Sequence, residues 1–230
     1  MSSTVNFPAT STAGAAMSDS AAAVQYMNFI FLRLDVVFHQ LMTNEKVVAR
    51  QEFMASFDSF QSRLPVATYA LTGLRSDCDV LFWRLSPSLD ELSRMSVRLQ
   101  ESGLGKYLFS THSFMGCVPA TRYPWTPGAI KEPKGVLGTA PYLFVRPVWG
   151  RSPDSLPDPS KFPSAQIHVT ESLDLPQQGF ILAFETSEPA DWRGYLAAWS
   201  AMGSAPSQTQ QEPTFVCLLR EMRDIVDSFG

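Results

Sequence analysis

With 230 residues, 45% of them hydrophobic and 17% charged, the chain can bury one large core or two small ones. Its 18 basic and 22 acidic residues leave a net charge of -4 and include no run of Lys or Arg, which argues against a general nucleic-acid footprint, so no nucleic-acid partner is expected. The three cysteines, Cys78, Cys117 and Cys217, are odd in number and far apart, so neither a disulfide framework nor a CxxC zinc knuckle is implied, and a reducing cytoplasm suits them.

Residues 1–23 are rich in Ser, Thr and Ala and hold no Lys or Arg, which argues against a secretory signal or a transit peptide. They read as a disordered tail, with Met17 a second candidate start. No apolar run approaches the roughly 18 residues of a membrane span. Residues 24–36 are rich in aromatic and branched side chains and predict a strand. Thr43 or Asn44 can cap the helix that follows, in which Val47, Met54, Phe57 and Leu64 recur up to Pro65. Residues 66–74 and 79–85 predict a hairpin turning at Gly73 and Ser76-Asp77. Ser88 and Glu91 have capping-box spacing, and Leu89, Leu92, Met95 and Leu99 stripe a helix that stops at Gly103. A strand at 107–118 completes a β-α-β-β-α-β unit over residues 24–118.

Residues 119–141, with Pro119, Pro124, Pro127, Pro133, Pro141, Gly128, Gly135 and Gly138, have linker chemistry. The second unit, 142–230, opens with a strand at 142–149. It continues with strands at 165–171 and 179–185 and a helix from Pro189 bearing Trp192, Tyr195, Leu196 and Trp199. A polar stretch at 203–211 leads to a strand at 214–217. A final amphipathic helix carries Leu219, Met222, Ile225, Val226 and Phe229. The halves align at a fixed offset: 86–92 lies opposite 186–192, and Met95 and Leu99 lie opposite Tyr195 and Trp199. One element has no counterpart. Residues 149–163 carry Pro153, Pro157, Pro159 and Pro163, and proline inside a helix removes a donor and clashes with the preceding turn. The expected fold class is therefore α+β, a tandem ferredoxin-like chain (β-α-β-β-α-β twice) whose second repeat lacks its first helix.

This double unit, with the segments 69–87 (YALTGLRSDCDVLFWRLSP), 111–116 (THSFMG), 180–186 (FILAFET), 188–191 (EPAD) and 213–215 (PTF), resembles the chlorite dismutase and coproheme decarboxylase superfamily, of dimeric-α+β-barrel type. The resemblance runs in order over about residues 24–230. It implies a haem or coproheme in the second unit, ligated by a histidine from that unit's first helix and supported by a lysine before the helix and a glutamate from the later one. An arginine or glutamine on the next strand acts on the distal side. Carried over, the lysine falls near Gly150 beside Arg151, and the histidine falls in 153–160, which has none. The glutamate falls near 201–203, without a carboxylate, and the distal residue falls near Ile167, which donates nothing. Haem iron needs an oriented axial donor and distal chemistry a preorganised polar group. The expectation is therefore a degenerate haem site, with no cofactor predicted and haem b as the alternative.

Individual residues sharpen this reading. By strand alternation His168 points away from the face shared by Ile167 and Val169, although it remains a weak candidate ligand. Arg146 and Arg151 are weak candidates for an anion, and Trp149 for stacking on a flat ring. Trp192 and Trp199 read as core. His112 reads as structural or interfacial, His39 as a surface residue, and Cys117 and Cys217 as buried inert thiols. Asp90, Glu91 and Glu188 cap helices or face solvent.

The leading expectation is a non-catalytic structural, assembly or interaction subunit in the cytoplasm. Its interaction surface is Ile167, Val169 and Trp149, left open by the missing helix. The partner is a like subunit or a haem-bearing paralogue. The alternatives are a peroxidase-like or chlorite-decomposing haem oxidoreductase using His168 or His112, and a binder of another flat hydrophobic ligand.

Overall fold

The computed structural model of the protein describes residues 24–61, 63–123, 137–174, 179–203 and 213–230. Its strands are β1 (Val24–Leu34), β2 (Val66–Ala70), β3 (Val80–Ser86), β4 (Leu108–Pro119), β5 (Tyr142–Val148), β6 (Ala165–Ser172), β7 (Phe180–Thr186) and β8 (Phe215–Leu219). They close into one antiparallel barrel in the order β1-β3-β2-β8-β5-β7-β6-β4. Each half contributes the same local order, β4-β1-β3-β2 and β8-β5-β7-β6, which is the expected duplicated ferredoxin-like plan. The halves meet at two narrow seams. Tyr69 and Ala70 pair with Leu219 and Leu218, and Gly116 and Cys117 pair with Ser172 and Glu171.

Side-chain alternation then sorts each strand between the barrel interior and an outer layer. Met27, Phe29, Phe31, Leu81, Trp83, Leu85, Leu143, Val145, Ile181 and Phe215 fill the interior, with Phe29 stacked on Trp83 at 5.5 Å. Outside the first half lie α1 (Thr43–Gln61) and α2 (Leu89–Glu101), burying Phe53, Phe57, Met95 and Leu99 against Val80 and Phe82. Ser88 caps α2 through the Glu91 N–H, as the spacing predicts. The return bond differs, because the Glu91 carboxylate takes the Ser86 hydroxyl at 2.7 Å.

Outside the second half the layer is thinner. Among the described residues only α3 (Pro189–Ala201) covers it as a helix, and 149–163 forms two short 3₁₀ turns, Pro153–Ser155 and Pro159–Lys161. Each turn starts on a capped proline: Ser152 Oγ accepts from the Asp154 N–H at 3.2 Å, and Asp158 Oδ1 from the Ser160 N–H at 3.0 Å. Leu156 and Phe162 tuck into the outer cluster of Phe144, Phe184, Trp192 and Tyr195. The proline-rich segment thus partly covers the face that the missing helix leaves.

Several boundaries differ from expectation. β1 stops at Leu34, and Asp35 caps a 3₁₀ turn, Val36–Gln40, whose His39 is exposed as expected. Thr43 lies inside α1 rather than capping it. β8 runs to Leu219, so that residue is sheet rather than helix. The last helix, α4 (Met222–Asp227), packs Met222, Ile225 and Val226 onto the first half. The expected tail at 1–23, most of the linker (124–136) and nearly all of the polar stretch (204–211) lie outside the described residues.

Barrel closure makes one glycine indispensable. A Cβ on Gly116 would lie 2.3 Å from Glu171 O and 2.5 Å from Thr170 Cγ2. Gly116→Val is expected to cost at least 1–3 kcal/mol, roughly the cost of overpacking a core. Hydrogen exchange should show the loss first at the Leu173 amide, which bonds Met115 O across that seam.

Candidate functional site

A carboxylate in the barrel interior must find partners, because water cannot solvate it there. Glu185, on an otherwise apolar run of β7, is fully buried. Its Oε1 accepts from the Tyr69 hydroxyl at 3.1 Å and the Thr139 N–H at 2.8 Å, and its Oε2 from the Thr139 hydroxyl at 3.1 Å. His168 Nε2 lies 3.1 Å from Oε2, and His168 Nδ1 lies 2.6 Å from the Tyr123 hydroxyl. Burial pushes the Glu185 carboxyl up. The bonds and charge of His168, the Thr139 N–H and the Tyr69 hydroxyl together outweigh this and hold it below its ordinary value. His168 is therefore a buried structural histidine facing the barrel interior. This agrees with the alternation argument and separates it from the opposite face of β6.

A second cluster joins the segments 73–79 and 111–116. Asp77 takes both forks of Arg75 at 2.7 Å and lies 2.9 Å from His112 Nε2, while the Arg75 guanidinium sits 4.4 Å over the Phe215 ring. The Arg75 bonds hold the Asp77 carboxyl well below the usual range, despite some opposition from burial. His112 is thus oriented as part of an ion-pair network. Cys78 beside it is buried, and burial pushes its thiol up to about 12, so it is not a nucleophile at neutral pH.

On the outer face of the second half is a cleft of about 540 Å³. The proline-rich segment supplies Pro153, Asp154, Leu156, Pro157 and Pro159; β6 supplies Ile167, Val169 and Glu171; β4 and the following turn supply Cys117 and Arg122; and α3 supplies Tyr195. Its size is that of a small-molecule site and its walls are mostly apolar. Arg122 is exposed, and its Nη2 donates to Ile167 O at 2.8 Å. Tyr195 is fully buried, and its hydroxyl has no hydrogen-bond partner among the described residues. Burial pushes that phenol well above its ordinary pKa, so it remains an O–H donor.

A family model described as chlorite dismutase matches residues 45–152. The matched segment, just under half of the chain, is similar to chlorite dismutases. No curated protein sequence matches. Among solved structures, chlorite dismutase from Candidatus Nitrospira defluvii in complex with imidazole is 18% identical, with a TM-score of 0.68 over 89% of this chain and 94% of that one. An arginine-to-alanine mutant of the same enzyme is also 18% identical, with a TM-score of 0.69 and coverage of 89% and 94%. A haem-binding protein from Thermus thermophilus is 14% identical, with a TM-score of 0.64 and the same coverage. At such identities the likeness establishes the fold.

The cleft joins the positions to which the chlorite dismutase resemblance assigns the haem, since 153–159 and Ile167 line it together. None of the described residues that line it carries an imidazole. The donors present are the neutral Tyr195 phenol, the half-buried Cys117 thiol and the carboxylates Asp154 and Glu171. This lining does not fit an iron porphyrin held by histidine. The other candidates scatter: Arg146 sits 5.9 Å from the Trp199 ring, Arg151 is partly exposed, and Trp149 is exposed. Trp192 and Trp199 are core, as expected. Cys217 is buried as expected, but Cys117 is only half-buried and lines the cleft. Sequence reasoning missed Tyr123, Arg122 and the role of Glu185. The signal for Glu185 was a carboxylate following five apolar residues in 180–184. Among the described residues no group of His, Cys, Asp and Glu is arranged to hold a metal ion, and no helix is long and apolar enough to cross a membrane.

Because the Glu185 pKa is depressed, its stabilising contribution is complete above the ordinary glutamate range near ~4.3 and is lost as pH falls through the lower folded value. Glu185→Gln should therefore flatten the acid limb of the stability-versus-pH curve measured by urea unfolding. Glu185→Ala, which strands Tyr69, Thr139 and His168, should cost about 3–5 kcal/mol.

Proposed function

We propose that this chain, a chlorite dismutase-like protein, is a non-catalytic binding protein whose second-half cleft takes a flat, largely apolar ligand without ligating iron. The buried, unpartnered Tyr195 hydroxyl carries this reading. The atom is covered in this structure, and leaving it unpaired costs about 1–3 kcal/mol, which an acceptor atom on a ligand that displaces its cover would recover. Arg122 at the rim supplies a guanidinium for an acidic edge. The apolar strand positions and the prolines supply two hydrocarbon faces, and Ile167 offers no donor where the family's distal chemistry would need one.

The test is a fluorescence titration with an iron-free porphyrin dicarboxylic acid, run beside an absorption titration with haem. Tyr195→Phe, which keeps the ring packing, should weaken porphyrin binding about tenfold, and Arg122→Ala should do so for the acid but not for its ester. A stoichiometric Soret band with peroxidase activity, lost in His168→Ala or Cys117→Ala, would sink this reading and restore the haem oxidoreductase.

A role in assembly with like subunits or a haem-bearing paralogue is the second reading. It rests on the exposed Trp149 and the partly exposed Ile167 and Val169. Sedimentation of Trp149→Ser would show a lower association state than the unaltered chain; an unchanged state would remove Trp149 from any interface.

A further inference from the structure

The outer layer of the first half encloses a cation that has no anion among the described residues. Arg84 on β3 is 2% exposed, and all its acceptors there are neutral. Asn28 Oδ1 accepts from Nε at 3.2 Å and from Nη2 at 2.5 Å, Leu92 O accepts from Nη1 at 3.2 Å, and Ser96 Oγ accepts from Nη1 at 3.0 Å. Four of its N–H groups are thus used, and the second N–H on Nη2 has no acceptor among the described residues. Burial pushes the guanidinium down only to about 10, so the group stays charged at neutral pH. A buried cation without a counter-charge is costly to keep.

The fold itself does not ask for this cation. The register that pairs Asn28 with Arg84 on β1 and β3 pairs Phe144 with Phe184 on β5 and β7. The same slot between sheet and helix is filled there by two buried phenyl rings, stacked or tilted against Trp192. One half of the molecule therefore fills this slot with hydrocarbon alone. The other keeps a guanidinium and an amide in its place.

Arg84 also lines a cavity of about 50 Å³. Ile30, Phe82 and Leu99 form part of its apolar wall, Ser96 adds a hydroxyl, and the exposed Gln100 and Ser110 lie at its border with solvent. A water molecule needs roughly 10–15 Å³ on this measure, so the space admits a ligand of a few atoms and excludes a porphyrin.

We infer that the first half binds a small monoanion, of halide, nitrate or short carboxylate size, with Arg84 as its counter-charge. The anion supplies the missing acceptor for Nη2 and the missing negative charge, and the apolar wall limits it to a few atoms. This site is in the opposite half from the porphyrin-sized cleft and does not depend on it.

The test is thermal unfolding and titration calorimetry of the full chain with sodium formate in halide-free buffer, with ionic strength held constant by sodium sulfate. The Tm should rise by about 5 °C once formate reaches about a hundredfold excess over its Kd, with no such rise in sulfate alone. Arg84→Met should abolish both the shift and the calorimetric heat. Ser110→Phe, a surface change that narrows the entrance, should weaken formate binding at least tenfold, which keeps the inference testable if Arg84→Met does not fold. A wild-type chain that gives no formate-specific heat or Tm shift overturns the inference, as does a folded Arg84→Met or Ser110→Phe variant that responds like the wild type.

Discussion

The buried Glu185 carboxylate is the constraint around which the barrel is arranged. It sits where apolar side chains from both halves converge, and it draws a partner from each: Tyr69 from the first half, His168 from the second, and Thr139 from the segment that enters β5. Tyr123, in the linker just after β4, extends the network through His168. Each donor fixes the position of a different chain segment, so the carboxylate sets how the two units close on each other. Packing alone would set that less sharply, because apolar contacts carry no direction.

Within this shared barrel the two outer layers have diverged. The first half keeps both of its helices and gains a third, α4, from the C-terminal end of the other half. The second half has lost its first helix to prolines and keeps a cleft where that helix would lie. Equivalent positions carry opposite chemistry: Asn28 and Arg84 on one side, Phe144 and Phe184 on the other. At these positions the second half's outer layer, where the family resemblance expects ligand chemistry, is apolar, and that of the first is polar.

The duplicated architecture was readable because period, caps and turns agreed in most elements, and the repeat offset of one hundred positions tied the halves together. The missing helix was readable for the simplest reason, since four prolines forbid it. The packing of α4 was not, because an amphipathic stripe says that a helix is buried but not against which half. The alternation of β6 separated His168 from Ile167 correctly. That His168 is held by Glu185 and Tyr123 depends on residues 17 and 45 positions away, which no local pattern connects. Tyr195 looked like one more aromatic in a helical stripe. Its unpaired hydroxyl emerges only when its neighbours in space are known.

Closure of the barrel also limits how the molecule can meet others. The described strands form a closed ring whose two seams are only two residue pairs wide, so the edge left for an incoming strand is short: residues 108–114 of β4 pair with β1 alone. Elsewhere partners and ligands use the outer layers, through helix faces, turns and clefts. The two halves are also bound to each other in an evolutionary sense. Either one alone would expose two edges, so mutations that remodel one outer layer are tolerated only while the other half continues to complete the ring.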